Sequence, residues 1–84
     1  MPKSVHTEQY RIFLKVLRAA REDAGISQRE LGRRLQQHHD YVSKAEMGER
    51  QLNIVELRVW CAALGVNWVK LVQQLDKAFE QSDE

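Results

Sequence analysis

The sequence predicts an all-α domain built from five short helices, and three observations carry that prediction. Apolar residues recur at three- and four-residue steps along most of the 84-residue chain. No stretch of alternating β-branched residues occurs, and there is no Asn-Gly hairpin signal. Gly25, Gly48 and Gly65 each fall just past a periodic segment, where a left-handed C′ residue ends a helix.

The first helix is expected to start after Thr7 as N-cap and to end near Ala24. Tyr10, Phe13, Leu14, Leu17 and Ala20 mark its inner face, with Arg11, Lys15, Arg18 and Glu22 largely on the other side. Gly25 stops it, and Ile26 turns into the core. Ser27-Gln28-Arg29-Glu30 has the capping-box pattern S-x-x-E and opens a short second helix with Leu31 and Leu35 inward. Gly32 inside that helix costs about 1 kcal/mol relative to alanine, so close packing against another helix is expected there.

A polar turn of three residues, Gln36-Gln37-His38, leads to a third helix from His39 to Met47. Val42 and Ala45 face inward with Glu46 beside them, and Gly48 ends the helix. Asn53-Ile54-Val55-Glu56 is a second capping box. The fourth helix that follows carries Ile54, Leu57, Val59, Trp60, Cys61 and Leu64, and closes at Gly65. The fifth begins at Asn67, with Val66 and Leu71 as a hydrophobic staple. Its broad apolar face holds Trp68, Leu71, Val72, Leu75 and Phe79, over residues 68–79. The polar tail 80–84 is expected to fray. With no internal repeat or linker, residues 1–84 are expected to form a single domain.

Composition narrows the function. An apolar content of 43% in 84 residues supports one modest core. A ligand pocket takes roughly 300–1,000 Å³, which so short a chain rarely gives up, so an enzyme with a buried active site is not expected. One Pro and four Gly against nine Leu and eight Val argue against disorder. Cys61 stands alone, so neither a disulfide framework nor a cysteine zinc site is available. Residues 1–6 lack the apolar segment of a signal peptide, and no apolar run approaches the roughly 20 residues of a membrane span. A soluble, cytoplasmic protein is expected.

The net charge of +1 conceals an asymmetry. Residues 1–50 hold ten Lys/Arg against seven Asp/Glu, whereas residues 51–84 hold three against five. A basic part beside an acidic one suits a polyanion-binding face.

The capped second helix, the turn and the third helix, over 28–47, read as a helix-turn-helix. Around it stand Leu17-Arg18-Ala19-Ala20-Arg21-Glu22-Asp23-Ala24-Gly25-Ile26-Ser27-Gln28, then Glu30-Leu31-Gly32 and Leu35. After the turn come Tyr41-Val42-Ser43-Lys44-Ala45-Glu46-Met47-Gly48-Glu49-Arg50 and Ala62-Ala63-Leu64-Gly65-Val66. On these residues the stretch from Leu17 to Leu71 resembles the Cro/repressor, or XRE-type, helix-turn-helix family of bacteria and phages. The resemblance implies a lambda-repressor-like five-helix DNA-binding domain.

It also implies residue roles. Arg21 and Glu46 match positions that form an inward ion pair; burying either charge alone costs several kcal/mol, so the two should meet. The third helix matches the recognition helix, which lies in the major groove of double-stranded DNA. His39, Asp40 and Lys44 are then the base readers, with Gln37 and His38 just before them. Lys44 can donate to guanine O6 and N7, and Asp40 can accept from cytosine N4. Gln28 is expected to bond a phosphate and brace the readers, and Arg50 to contact a phosphate. Two readings stand for Asp40, base contact or stabilisation of the positive helix end. Two also stand for Tyr41, packing over the turn or DNA contact, and for Ser43, plain surface or phosphate contact. Arg33 and Arg34 are expected on a solvated face, and Trp60 and Cys61 in the core. Gln36 departs from the family, which often has glycine there; a positive φ at Gln36 would cost roughly 1 kcal/mol.

One recognition helix reads only a few base pairs, so a homodimer on two half-sites about 34 Å apart is expected. The fifth helix offers Trp68, Val72, Leu75 and Phe79 for the two-fold interface. No cofactor or metal is expected, because His38 and His39 with a distant His6 lack ligand spacing. The expected function is a nucleoid-associated transcriptional regulator, a homodimeric repressor of a pseudo-palindrome that acts on polymerase by position. The alternatives are an antitoxin that binds a toxin and represses its own operon, and an adaptor that has lost DNA binding. Protonation of His38 and His39 should favour DNA binding.

Overall fold

The computed structural model describes residues 7–82, as α1 (Glu8–Asp23), α2 (Gln28–Arg34), α3 (Tyr41–Glu46), α4 (Ile54–Leu64) and α5 (Trp68–Ser82). No strand occurs among the described residues. His6 lies outside them, as do Asp83 and Glu84 of the tail; Gln81 and Ser82 continue α5 rather than fray.

Side-chain caps set where the helices begin. The Thr7 hydroxyl accepts the Tyr10 amide proton at 3.1 Å and starts α1. Asn53 and Glu56 form the reciprocal capping box of α4, and Asn67 Oδ1 accepts the Lys70 amide proton at the start of α5. Ser27 accepts the Glu30 amide proton at 3.0 Å, but the return half of that box is missing. Glu30 instead binds Arg33 and Arg34 one turn further on, at 2.9 Å from each Nε. Those two guanidinium groups hold its carboxyl down to about 2.

The ends of α1 to α4 share one bonding pattern. Two amides past each helix bond back to the carbonyls three and five residues earlier, the Schellman arrangement. It requires a left-handed residue, and α1, α3 and α4 supply glycine. After α2 the position falls to Gln36, at φ 56°, the one non-glycine with positive φ among the described residues. Its amide bonds Arg33 O at 3.0 Å, and the Gln37 amide bonds Gly32 O at 2.9 Å.

This ending accounts for three departures from expectation. Six residues, 35–40, separate α2 from α3 rather than three. The third helix starts at Tyr41 rather than His39, because His39 and Asp40 complete the turn. Gly32 faces that turn instead of another helix: a Cβ there would lie 3.5 Å from His38 O and 3.7 Å from Gln37 O, ordinary contact distances.

One core unites the helices. Leu17 of α1, Leu31 of α2, Val42 and Ala45 of α3, Trp60 of α4 and Leu71 of α5 are almost wholly buried. Each large side chain among them contributes roughly 1.5–3 kcal/mol of burial. Ile26 and Val66, the residues just past the left-handed glycines of α1 and α4, pack on the same cluster. Burial pushes the Cys61 thiol up, which suits a small core residue. Ile54 and Val59 do not join it; they are more than half exposed. α4 is apolar nearly all round, so periodicity alone does not single out its inner face.

α1 packs along α5 and also touches α3. Leu75 is a core residue at 7% exposure, which removes it from the proposed interface face. Trp68 and Phe79 are half-buried against the same core, leaving Val69 and Val72 as the exposed aliphatics of α5. No helix among the described residues is long and apolar enough to cross a membrane.

Candidate nucleic-acid interface

The foundation of the site is a buried polar knot beneath α3. Arg21 Nε donates to Glu46 Oε2 at 2.7 Å and Arg21 Nη2 to Oε1 at 3.2 Å. Arg21 Nη1 donates to Ile26 O at 2.8 Å, and Gln28 Nε2 to Glu46 Oε1 at 2.8 Å. The two charged side chains are only 8% and 3% exposed. Their fork-to-fork geometry satisfies the charge each would otherwise bury alone. The knot joins α1, the start of α2 and the end of α3, so the tilt of α3 is fixed from below.

On the opposite side α3 presents an exposed edge. Gln37, His38, His39 and Lys44 are exposed, Asp40 and Ser43 half-buried. Asp40 sits between two neighbours, its Oδ1 2.6 Å from His38 Nδ1 and its Oδ2 3.5 Å from Lys44 Nζ. The His38 hydrogen bond above all, then the Lys44 charge, holds the Asp40 carboxyl below its usual range. The His38 and His39 rings lie 4.3 Å apart, tilted by 34°.

Tyr41 packs rather than projects. Its ring centre is 6.0 Å from that of Trp60, whose Nε1 donates to the Tyr41 hydroxyl at 3.3 Å. The Arg50 guanidinium lies over the Tyr41 ring, 5.0 Å from its centre, and bonds Glu56 at 2.9 Å. Glu56 chiefly, with Tyr41, raises the Arg50 pKa further. Half of the Arg50 side chain stays exposed.

The structure thus gathers His38, His39, Asp40 and Lys44 into one edge, places Gln28 beneath it as a brace, and sets Arg50 with Tyr41 at its flank. Two contacts escaped the sequence. Arg34, expected on a solvated face, donates from Nη1 to Ala63 O at 2.9 Å and ties α2 to the end of α4. The sharing of Asp40 by His38 and Lys44 depends on side-chain directions around a turn; only the i, i+4 spacing of Asp40 and Lys44 hinted at it. Among the described residues no group of His, Cys, Asp or Glu is placed to hold a metal ion.

A short helix braced from below, with an exposed polar edge at its N-terminal side, is the geometry of a helix-turn-helix DNA-binding domain. A family model described as helix-turn-helix matches residues 17–71. A solved structure, an XRE-family like protein from Pseudomonas syringae pv. tomato str. DC3000, is 35% identical, with a TM-score of 0.78 over 88% of this chain and 92% of that one. Among curated proteins none matches. The chain belongs to the XRE-type helix-turn-helix family of DNA-binding regulators.

Proposed function

We propose that this protein is a sequence-specific repressor that binds a pseudo-palindromic operator as a homodimer. One observation carries the assignment of the reader: the exposed edge of His38, His39, Asp40 and Lys44 on a helix whose tilt is held by the buried Arg21–Glu46–Gln28 knot. Rigid support beneath exposed hydrogen-bonding groups is what base readout requires. His39 and Lys44 meet base edges, with Asp40 held between His38 and Lys44 on the same edge; Gln28, Ser43 and Arg50 meet phosphates, with Gln37 and His38 entering first. The exposed Val69 and Val72, flanked by Trp68 and Phe79, favour α5 as the two-fold surface. The protein acts by occupying DNA and associates with the nucleoid.

The test is selection of bound fragments from a random duplex library, followed by titration across salt. The expected result is an inverted repeat with half-sites about one helical turn apart and a steep fall of affinity with salt. Recovery of no motif overturns the assignment and redirects the search to protein partners, a toxin first.

A further inference from the structure

Asp40 occupies the N-cap position of α3 yet caps nothing. An aspartate there ordinarily accepts an amide proton from the first turn. Here both carboxylate oxygens turn outward to side chains of the reading edge, Oδ1 to His38 Nδ1 and Oδ2 to Lys44 Nζ. An ionised carboxylate only accepts hydrogen bonds. At 2.6 Å a bare ring nitrogen would set two acceptors face to face, so Nδ1 must carry the proton. A neutral imidazole has one N–H, which leaves Nε2 bare and accepting. The His38 side chain is 71% exposed, so its ring is open to a ligand from solvent.

We propose that Asp40 is a positioning residue that decides what His38 reads: by holding the Nδ1–H tautomer, it makes His38 an acceptor at the DNA surface. The inference rests on the DNA-binding reading above. In the major groove only cytosine N4 and adenine N6 offer a proton, so His38 selects one of these at its base pair. A His38 released from Asp40 presents either nitrogen and discriminates poorly. This role differs from direct cytosine contact by Asp40, which would not need His38.

The test has two arms on the full chain. Long-range ¹H–¹⁵N spectra of the free protein report which ring nitrogen of His38 is protonated, at a pH where the same shifts show a neutral ring. The wild type is expected to show Nδ1–H, and Asp40→Asn, folded by its unfolding curve, to show a substantial Nε2–H population. Duplex selection on wild type, Asp40→Asn and His38→Ala then gives the base preferences. A cytosine or adenine preference of about two- to tenfold at one half-site position should weaken in Asp40→Asn and vanish in His38→Ala. A wild-type ring protonated at Nε2 overturns the inference, as does a preference that survives either substitution. A wild type that enriches no motif overturns the regulator reading itself; the spectra still decide the tautomer.

Discussion

Arg21 and Glu46, 25 positions apart in sequence, meet as a two-point ion pair sealed under α3. Removing one partner strands a buried charge, at a cost of about 3–5 kcal/mol. Glu46→Ala should therefore lose most of the stability of so small a domain in urea unfolding. Arg21→Met with Glu46→Leu should recover a large part of that loss, since an apolar pair of similar volume often replaces a buried ion pair without penalty. A double variant no more stable than Glu46→Ala would contradict this account.

Gln36 and Gly32 make an opposed pair of stabilising changes. Gln36 holds a left-handed conformation that glycine adopts freely, so Gln36→Gly should gain about 1 kcal/mol. Gly32 lies mid-helix with room for a methyl group, so Gly32→Ala should gain about 0.5–1 kcal/mol. Each kcal/mol should raise Tm by about 4–8 °C. A fall in Tm for either variant would show that the turn tolerates no change at that site.

Acid should act on α2 and on the reading edge together. The Glu30 carboxyl is pulled down to about 2 by Arg33 and Arg34, and that of Asp40 lies below its usual range through His38 and Lys44. A depressed carboxyl contributes stability that is complete above its ordinary value, near 4.5 for Glu30 and 3.8 for Asp40, and fades as pH falls toward the folded value. Stability should thus decline between pH 4.5 and 2, less steeply in Glu30→Gln. Identical slopes for the two proteins in acid titration would remove Glu30 from the explanation.

Lys44 tests the DNA edge directly. Lys44→Ala should weaken operator binding by about 1–3 kcal/mol per protomer, if Lys44 reads guanine, and lower the salt slope by about 1 if it meets phosphate. Binding across salt separates the two outcomes, and an unchanged affinity would place Lys44 outside the interface.

Val72 tests the two-fold surface. Val72→Glu should leave the protomer folded, because the residue is 39% exposed, yet shift sedimentation toward the monomer. Sedimentation of the wild type as a monomer at all concentrations would remove α5 from this role.

Much of this architecture was legible because its signals are local. Thr7, Asn53 and Asn67 cap helices through their own nearest amides, and the glycine ends obey a backbone rule. The pairing of Arg21 with Glu46 was legible only through family resemblance, since nothing local links the two. The start of α3 was misplaced because His39 looks helical in pattern, whereas Gln36 sends the chain through a longer turn. Leu75 was placed on the wrong surface because apolar residues spread round a helix do not say which of them face the core.

The reading helix and α5 are not joined by a flexible element. α1 lies against α5 and grips α3 through Arg21, while Arg34 fastens α2 to the last turn of α4, just before α5 begins. Any pair of these domains assembled on α5 therefore behaves as a gauge of fixed opening. One base pair inserted between the sites turns one relative to the other by about 35°, and the Arg21 and Arg34 braces oppose any turn within the protomer that would restore the phase.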